Sequence, residues 1–539
     1  MGSTGQVIVD SLVANGIDRV FCVPGESYVG LLNALWGRSD IDTVACRHES
    51  GAGFMALADA RLTGRPGVAC VSRGPGATNA AIAVHTAQRD GVPFILIVGQ
   101  VPRRHLRRDA FQEIDCGRVF GSIAKWTAEI VDPEHVGEIL QRAFRVATQG
   151  LAGPVVIAIP EDVFDAPTTA PVALPQAAVA AAPAPADLSI LHEWLTHASR
   201  PLIIAGADIG RCDAREAFRC FVERWDVPTI VSFRNQDLFP NAHRLYAGEL
   251  GLANPPEQIA TLHESDLLLV LGARLSDITT QGFTFPRPDR TQRLVHVHPD
   301  HTVIGTQFAA DLAIACSSGA FIRALGGPCS LVATRRAWID RLQAQQRKIA
   351  RARTFEVYDG VPFESVVDVI GHHLPSDAIV TLDAGTFAAS AYRLISFTPP
   401  QRLLAPASGA MGFGVPAAVA AALRAPDRRV VCLVGDGGFL MTGNELAVAS
   451  ERRLPIKIIL SENRAYASIR IHQEREYPGR VIGTSLTNPD FELFGRAFGC
   501  TVTRIRSTDD LALLPHVLER PGLELVVVET SLDAVLQDY

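Results

Sequence analysis

Two polar residues that follow successive apolar runs have the types and the spacing to bind a metal-complexed diphosphate. Asp436 follows the run RVVCLVG, and Asn463 follows the next run, IKIILSE. Because ligands bind at the carboxyl ends of strands in open parallel sheets, both side chains are expected at one edge. Gly437 and Gly438 let the backbone approach an anion, and a helix beginning near Thr442 would direct its N-terminal dipole at the same point.

The cation expected in this site is Mg²⁺. No P-loop lysine follows the glycines, so a divalent ion would have to neutralise the phosphates. Magnesium takes oxygen ligands in a near-octahedral arrangement, few of them from protein. Taken alone, the tripeptide Gly-Asp-Gly is more typical of a plain strand-to-helix turn. The whole pattern of strand, turn, helix, strand and asparagine over 435–463 favours the diphosphate site.

A carboxylate near the N-terminus is a second candidate. Glu49 follows a short strand and begins a helix of small residues in CRHESGAGFMALADAR. On position alone, such a carboxylate is typical of a surface or helix-capping charge. The segment LAPASGAMGFGVPAAVAAAL, just ahead of the Asp436 strand, is also rich in small residues, which fit either close helix packing or the approach of a ligand.

The elements that must position these residues alternate between short apolar strands and helices. This alternation predicts an α/β protein made of three doubly wound parallel-sheet domains. A Pro/Ala-rich linker at 166–186 closes a first domain at 1–165. A second domain at 187–330 is followed by a basic linker helix at 331–354 and a third domain at 355–539.

The composition is that of an ordinary globular enzyme. Of 539 residues, 47% are hydrophobic and 20% are charged, and the net charge of −7 gives no reason to expect nucleic acid or a membrane surface as partner. No run approaches the roughly 20 apolar residues of a membrane span, and the N-terminus predicts a helix rather than a signal peptide. Ten cysteines without a CxxC pair predict reduced thiols in a cytoplasmic protein, and fifteen histidines show no zinc-binding spacing.

Over nearly its whole length the chain resembles the thiamine-diphosphate enzymes of the acetolactate synthase (acetohydroxyacid synthase), pyruvate oxidase and decarboxylase family. Three stretches carry the resemblance: the Gly-Asp-Gly segment with its distant asparagine, Arg47-His48-Glu49 followed by ADARLTGRPGV, and SRGPGATN. The resemblance implies thiamine diphosphate and Mg²⁺ as cofactors. It also implies a pyrimidine-binding first domain, a central Rossmann-like domain and a diphosphate-binding third domain.

The family pattern implies a set of cofactor contacts. Asp436, Asn463 and the backbone carbonyl of Ala465 would bind the metal. The family usually has two successive asparagines, and here Glu462 replaces the first. Met411 would support the bent cofactor, Gly409 would receive its amino group, and diphosphate contacts would lie in the stretch Asp383-Ala384-Gly385-Thr386. The remaining implied cofactor contacts are Pro24, Gly74, Asn79, Gly435, Gly437, Gly438, Met441 and Tyr466.

Glu49 matches the glutamate that activates the cofactor in this family. Thiamine becomes nucleophilic when its C2 proton is lost, and a glutamate hydrogen-bonded to N1′ favours the imino tautomer whose N4′ takes that proton. His48 belongs to the same Arg-His-Glu setting. In the family this glutamate reaches cofactor held by the opposite subunit, which implies at least a homodimer, with a homotetramer expected.

The reaction is expected to begin with a 2-keto acid. Loss of CO₂ leaves an enamine that can be protonated, add to a second carbonyl or be oxidised. Phe111 and Gln112 match synthase pocket residues, which favours addition to a second carbonyl. In general, aromatic and amide residues in such positions are more often structural. The arginines of the loop at 103–108 are expected to be solvated or to contact a subunit, and the alternative is that they attract an anionic substrate.

Several residues depart from the synthase pattern and leave the acceptor open. Ile278 stands where the synthase has the arginine that grips the acceptor carboxylate, His472 stands where it has the tryptophan that selects the acceptor, and Glu161 replaces a lysine. In the loop at 24–28, Glu26 and Ser27 replace glycine and alanine. Glu26 could handle protons or bind hydroxyls near C2, or it could be a charge at a helix start.

We therefore predict a thiamine-diphosphate- and Mg²⁺-dependent lyase or carboligase that acts on small 2-keto acids and aldehydes. The candidate catalytic residues are Glu49, Glu26, His48, Phe111, Gln112 and His472. Alternatives are a 2-keto acid decarboxylase, an acyloin or aldehyde lyase, and a non-catalytic cofactor-binding regulatory paralogue. FAD is not expected in the central domain, because Gly206 and Gly210 do not form a GxGxxG motif.

Overall fold

The computed structural model describes residues 2–177, 179, 181–252, 254–287, 289–327 and 334–537. It contains three six-stranded sheets, and every strand pair within them is parallel. Helices lie between the strands in sequence, so the predicted α/β class with three parallel-sheet domains is confirmed. Cys329 and Tyr539 fall outside the described residues, as do the predicted domain ends at 330 and 331.

The first sheet has the strand order β3-β2-β4-β5-β7-β6. Its strands and helices in chain order are β1 Gly2–Ser3, α1 Thr4–Ala14, β2 Arg19–Cys22, α2 Val29–Leu35, β3 Asp42–Ala45, α3 Glu49–Thr63, β4 Gly67–Val71, α4 Gly74–Asp90, β5 Phe94–Gln100, α5 Cys116–Phe120, β6 Trp126–Glu129, α6 Val136–Thr148, β7 Pro154–Pro160, α7 Glu161–Phe164 and β8 Pro167–Thr168. Strands β1 and β8 form a separate antiparallel pair.

The second sheet has the order β11-β10-β9-β12-β13-β14. Its elements are α8 Pro185–His197, β9 Pro201–Ala205, α9 Asp208–Arg211, α10 Arg215–Trp225, β10 Thr229–Ser232, β11 Tyr246–Leu250, α11 Pro256–Leu262, β12 Leu267–Leu271, β13 Arg293–His298, β14 Leu312–Ala315 and α12 Ser318–Ala324. Helix α13, Arg336–Ile349, follows and packs its buried Trp338 against this sheet's strand β9.

The third sheet has the order β16-β15-β17-β18-β20-β19. Its elements are α14 Phe363–His373, β15 Ile379–Leu382, α15 Phe387–Leu394, β16 Arg402–Leu404, α16 Gly414–Arg424, β17 Val430–Gly435, α17 Asp436–Thr442, α18 Leu446–Glu451, β18 Ile456–Glu462, α19 Ala467–Glu476, α20 Phe491–Ala497, β19 Thr501–Ile505, α21 Leu514–Glu519, β20 Glu524–Glu529 and α22 Leu532–Gln537.

The first and third domains share one hydrophobic core. Its central feature is the contact between α3 and α16, two helices rich in alanine and glycine whose backbones can therefore approach closely. Phe54 of α3 and Phe413, just before α16, meet edge to face with ring centroids 5.6 Å apart. This packing fixes the start of α3, which bears Glu49, relative to the loop that carries Met411.

The start of the helix after Asp436 is a correction. The sequence pattern predicted a beginning near Thr442, whereas α17 begins at Asp436 and ends at Thr442. Glycines disfavour helix interiors, and this preference placed the predicted start too late. Tertiary packing overrides it, because Gly437 and Gly438 lie in the first turn where neighbouring side chains leave no room for a Cβ atom.

Two observations relate to the sequence predictions about membrane spans and about the state of the cysteines. No helix in the described ranges is long and apolar enough to span a membrane. Nine cysteines are described, and all nine are free thiols.

Candidate active site

The Asp436 carboxylate lies buried at the junction of β17 and α17. Its Oδ1 accepts a hydrogen bond from the backbone N–H of Gly437 at 2.9 Å. Its Oδ2 accepts one from the N–H of Arg464 at 2.7 Å and one from Nδ2 of Asn488 at 2.9 Å. Burial raises the pKa of Asp436, and these hydrogen bonds oppose that rise. The carboxylate is therefore fixed in position by three donors.

The loop that follows β18 brings Asn463 to the same place. Strands β17 and β18 pair in parallel register with Gly435 opposite Ser461, so the residues after each strand meet at one edge. Arg464 adopts a left-handed conformation with φ 56°, which turns the chain sharply between Asn463 and Ala465. The Oδ1 atom of Asn463 accepts from the N–H of Ala465 at 3.0 Å. The three predicted metal-binding residues thus lie in two adjacent segments, one directly after β17 and one after β18.

Two glycines of α17 permit close approaches that any side chain would block. A Cβ atom on Gly437 would lie 2.5 Å from Cε1 of Tyr466 and 3.5 Å from Cε of Met411. A Cβ atom on Gly438 would lie 2.9 Å from Oδ1 of Asp383. Met411, Gly437 and Tyr466, which the sequence predicted separately as cofactor contacts, therefore lie together beside Asp436.

Asp383 is buried and has a structural role. Its buried carboxylate accepts hydrogen bonds from the N–H groups of Ala384, Gly412 and Gly414, at 2.7, 3.0 and 2.9 Å. Burial raises its pKa to about 6. It fixes the loop directly after Met411. Gly385 and Thr386, the predicted diphosphate contacts of this stretch, follow at the exposed end of β15.

Asn488 was not predicted from the sequence. It stands in TNPD, outside any strand end or glycine motif, and only the fold brings it to Asp436. Its Nδ2 is used by Asp436, whereas its Oδ1 is buried without a hydrogen-bond partner. The oxygens of Asp436, Asn463, Ala465 and Asn488 form a donor set of the kind that Mg²⁺ prefers. The chemistry of these residues fits the predicted magnesium diphosphate.

Glu49 begins α3 and is half-buried. Asn79 of α4 donates a hydrogen bond from Nδ2 to Oε2 of Glu49 at 2.9 Å. A Cβ atom on Gly76 would lie 3.2 Å from Oε1 of the same carboxylate. His48 caps α3, with its Nδ1 accepting from the N–H of Ser50 at 3.2 Å. Glu49 and Asn79, which were predicted separately as cofactor contacts, are thus brought together, and His48 is turned to the helix backbone.

A buried glutamate of the third domain lies behind Glu49. Glu445 accepts hydrogen bonds from the N–H groups of Arg47 and His48, at 3.1 and 2.9 Å. Burial raises its pKa to about 7, and the charge of Glu49 adds to that rise. Glu445 stands in no recognisable motif, because its partners come from the other end of the chain.

The loop that bears Phe111 and Gln112 is strained and exposed. Arg107, Asp109 and Gln112 all have positive φ values, between 55° and 62°. Such strain in residues other than glycine is concentrated at functional sites. The carbonyl of Gln112 accepts from the N–H of Gly74 at 3.0 Å, whereas the Phe111 side chain is 76% exposed. The predicted pocket residues therefore border the start of α4.

Other predicted site residues are exposed to solvent. His472 is exposed on α19, where Nδ1 faces the guanidinium of Arg475 at 2.7 Å. Pro24 and Gly409 are exposed, and Met441 is 48% exposed at the end of α17. Among the residues that the structure describes, no hydrogen bond joins Glu49 or Asn79 to the Asp436 group.

In the central domain, charged side chains occupy the carboxyl edge of the sheet. Arg234 and Gln236 follow β10, Glu249 lies in β11, and Gln236 donates a hydrogen bond to the Glu249 carboxylate. Arg234 and Gln236 are buried, and burial raises the pKa of Glu249 to about 8. This is the edge at which a doubly wound domain binds a dinucleotide.

Three family models match three successive parts of the chain, one in each of the three domains. Residues 3–118 match the family model described as the thiamine pyrophosphate enzyme N-terminal TPP binding domain. Residues 188–325 match the central domain of that enzyme family, and residues 383–528 match its C-terminal TPP binding domain.

Similar proteins include several acetolactate synthases. The Escherichia coli acetolactate synthase isozyme 1 large subunit is 32% identical over 97% of this chain and 93% of that protein. The probable acetolactate synthase large subunit of Methanocaldococcus jannaschii is 30% identical over 94% of this chain and 88% of that protein. The acetolactate synthase large subunit of Corynebacterium glutamicum is 29% identical over 94% of this chain and 83% of that protein.

Proposed function

The chain belongs to the thiamine pyrophosphate enzymes, in the group of the acetolactate synthases, and from this premise we propose a Mg²⁺-dependent carboligase with an acceptor of its own. It is a thiamine-diphosphate-dependent enzyme with carboligase activity. When bound, thiamine diphosphate supplies the carbon nucleophile that attacks a keto carbonyl. In this proposal the protein's own side chains bind and orient the cofactor and handle protons around it.

In the proposal, Asp436, Asn463 and the carbonyl of Ala465 hold Mg²⁺. Three hydrogen bonds fix the Asp436 carboxylate, so it can bind a cation without reorganising. Asn488 orients that carboxylate through Nδ2, and a water molecule or ion at the site would satisfy its buried Oδ1. Gly437 and Gly438 let the diphosphate approach the start of α17, where backbone N–H groups favour an anion.

Glu49 is the proposed proton-handling residue. Asn79 holds one carboxylate oxygen at 2.9 Å, which leaves the other free to hydrogen-bond the pyrimidine of the cofactor. Met411 and Tyr466, packed at Gly437, would support the cofactor rings and exclude water on that side. The contact between Asn79 and Glu49 carries the proposal, because a relative that had lost catalysis has no chemical need for an oriented carboxylate at this point.

Two departures support an acceptor other than that of the synthases. Ile278 is half-buried and packs against the apolar cluster of the third domain, so it offers no charge to a carboxylate. His472 faces Arg475 on an exposed helix. A bidentate arginine–carboxylate pair is among the stronger polar contacts in proteins, and its replacement by an isoleucine removes the acceptor clamp.

We also propose a homodimer at least, with a homotetramer expected. Phe111, Leu440 and Met441 expose apolar side chains beside the predicted site residues, with exposed fractions of 76%, 43% and 48%. Contiguous exposed apolar patches are typical of subunit interfaces, and in this proposal the three side chains belong to one. The free thiols of the nine described cysteines fit a reducing cytoplasm.

The test is a product panel with the holoenzyme. The protein is supplied with thiamine diphosphate, Mg²⁺, and a matrix of 2-keto acids and aldehydes, and CO₂ and products are identified by mass spectrometry. We expect CO₂ release coupled to a new carbon–carbon bond. Release of CO₂ with only an aldehyde product would support simple decarboxylation. If no pair of substrates yields CO₂ or an acyloin, the result contradicts the proposal and favours a cofactor-binding regulatory role.

A further inference from the structure

A buried arginine with two carboxylate partners lies at the edge of the first sheet. Arg73 has a side chain only 9% exposed, and it forms salt bridges with Glu26 at 3.0 Å and Glu161 at 2.9 Å. Glu26 follows β2, Arg73 follows β4 and Glu161 follows β7, so parallel strands bring the three to one carboxyl edge. We call these three residues the acid–arginine cluster.

The cluster adjoins the residues assigned to the cofactor. Arg73 directly precedes α4, whose first turn contains Gly76 beside the Glu49 carboxylate and whose next turn contains Asn79. A Cβ atom on Gly25 would lie 2.8 Å from Cβ of Ser72, so the loop of Glu26 packs directly on the turn that bears Arg73. The cluster is therefore about one helical turn from the groups that contact Glu49.

Both terminal nitrogens of the Arg73 guanidinium are bound, whereas its Nε is buried without a hydrogen-bond partner among the described residues. One terminal nitrogen donates to Glu26 and the other to Glu161, which uses the fork that would otherwise grip a substrate carboxylate. Two carboxylates against one guanidinium leave the cluster with a net negative charge. An acceptor that carries a carboxylate would be repelled by this negative charge. Repulsion between like charges is a means by which binding sites exclude wrong partners.

Glu26 is the part of the cluster that a substrate can reach. Its side chain is 74% exposed, and Arg73 holds only Oε1. Within the part of the chain that the structure describes, Oε2 receives no hydrogen bond. A carboxylate oxygen can only accept hydrogen bonds, so its natural ligand in a neutral substrate is a hydroxyl group.

We propose that the acid–arginine cluster selects the acceptor, and that the acceptor is a neutral 2-hydroxyaldehyde rather than a second 2-keto acid. This inference rests on the proposed carboligase function. The donor loses CO₂, its former keto carbon bonds to the aldehyde carbonyl carbon, and one proton is taken up as the aldehyde oxygen becomes a hydroxyl. Glu26 binds the hydroxyl beside the aldehyde, while Arg73 and Glu161 hold Glu26 in place.

The experiment is an acceptor competition with the holoenzyme. The donor is the 2-keto acid that releases CO₂ fastest, and equimolar glycolaldehyde, acetaldehyde and pyruvate compete as acceptors, with products counted by mass spectrometry. We expect the glycolaldehyde product to exceed each of the other two by at least about tenfold, since sites that hydrogen-bond a hydroxyl discriminate against analogues lacking it. A wild-type preference for pyruvate or acetaldehyde would overturn the proposal.

Variants test the cluster itself. Glu26→Ala should remove at least about tenfold of the preference for glycolaldehyde over acetaldehyde, and Glu26→Gln should raise the share of the pyruvate product. Asp162→Asn is the matched control, because Asp162 is a neighbouring exposed carboxylate paired with Arg103. Unchanged product ratios in Glu26→Ala, with CO₂ release intact, would contradict the cluster assignment alone. Absence of CO₂ from every donor in the wild type would instead remove the proposed function on which it rests.

Glu161→Gln supplies a second, independent variant, in which Arg73 loses one anionic partner. We expect its product ratios to move in the same direction as those of Glu26→Gln, towards the anionic acceptor. Thermal melting of each variant checks that the fold persists. Ratios that move for Glu161→Gln in the opposite direction would contradict selection by the charge of the cluster.

Discussion

The Oε1 atom of Glu445 accepts a 2.9 Å hydrogen bond from the backbone N–H of His48, although 397 residues separate them in the chain. Glu445 lies in the third domain, and His48 caps the helix that begins at Glu49 in the first. The third domain therefore holds the start of the helix that presents the proposed activating carboxylate. Any change that shifts one domain against the other would also reorient Glu49.

Glu49→Gln is expected to abolish cofactor activation. A glutamine cannot exchange a proton with the pyrimidine as a carboxylate does, so hydrogen–deuterium exchange at C2 of bound thiamine diphosphate should fall by at least about 100-fold. Nuclear magnetic resonance after acid quench measures that exchange. The matched control is Glu451→Gln, because Glu451 is an exposed carboxylate that pairs with Arg47. Exchange at the wild-type rate in Glu49→Gln would show that another group activates the cofactor.

Asn488→Ala is expected to weaken metal-dependent cofactor binding. Among the described residues, Asn488 is the only side-chain donor to the Asp436 carboxylate, and such outer contacts typically contribute 10–100-fold to metal affinity. Calorimetric titration of thiamine diphosphate at a series of Mg²⁺ concentrations gives the shift. Asn33→Ala, an exposed asparagine on α2, should bind as the wild type does. Equal affinities in the two variants would remove Asn488 from the site.

Gly437→Ala tests the close approach at the start of α17. The new Cβ atom would lie 2.5 Å from the ring of Tyr466, so either the ring or the helix must move. We expect cofactor affinity to fall by at least about tenfold and unfolding stability to fall by about 1–3 kcal/mol, a typical cost of overpacking. Gly326→Ala is the control, since nothing lies within 4 Å of its Cβ position. Unchanged affinity in Gly437→Ala would mean that cofactor binding does not depend on the packing of Tyr466 at this position.

The sequence was sufficient for the fold class and for the family, both of which are confirmed. Apolar strands alternating with helices predict parallel sheets because buried strands read as continuous apolar runs. The start of α17 was predicted wrongly, because local propensity disfavours glycine in a first helical turn that tertiary packing requires. The assignments of site residues and the domain ends stay predictions.

What could not be predicted depends on contacts between distant segments. Asn488 and Asp436, or Glu445 and His48, have no common motif or period, and only the paired strands and packed helices bring them together. Arg73 is visible as one extra charge in SRGPG, yet its two carboxylate partners follow different strands. A one-dimensional pattern records the end of each strand but not which strand ends share an edge.

The pH dependence of stability is expected to carry a contribution from Glu445. Burial raises its pKa from an ordinary value of 4.5 to about 7, so below pH 4.5 the carboxyl is protonated in both folded and unfolded protein. Between about pH 4.5 and 7 the folded state keeps a proton that the unfolded state releases, and stability falls as pH rises. Above pH 7 this contribution is lost. At about 1.4 kcal/mol per pKa unit, the rise from 4.5 to about 7 corresponds to a loss on the order of 3 kcal/mol.

Glu445→Gln should remove this slope, because a glutamine stays neutral and its amide oxygen can still accept from the N–H of His48. The melting temperature of the variant relative to the wild type should therefore rise by a few degrees between pH 5 and pH 8. Glu451→Gln, which changes an exposed carboxylate on the next helix, should show no such trend. A Glu445→Gln difference that is flat across this range would mean that Glu445 is already ionised at pH 5, and that its hydrogen bonds to Arg47 and His48 outweigh its burial.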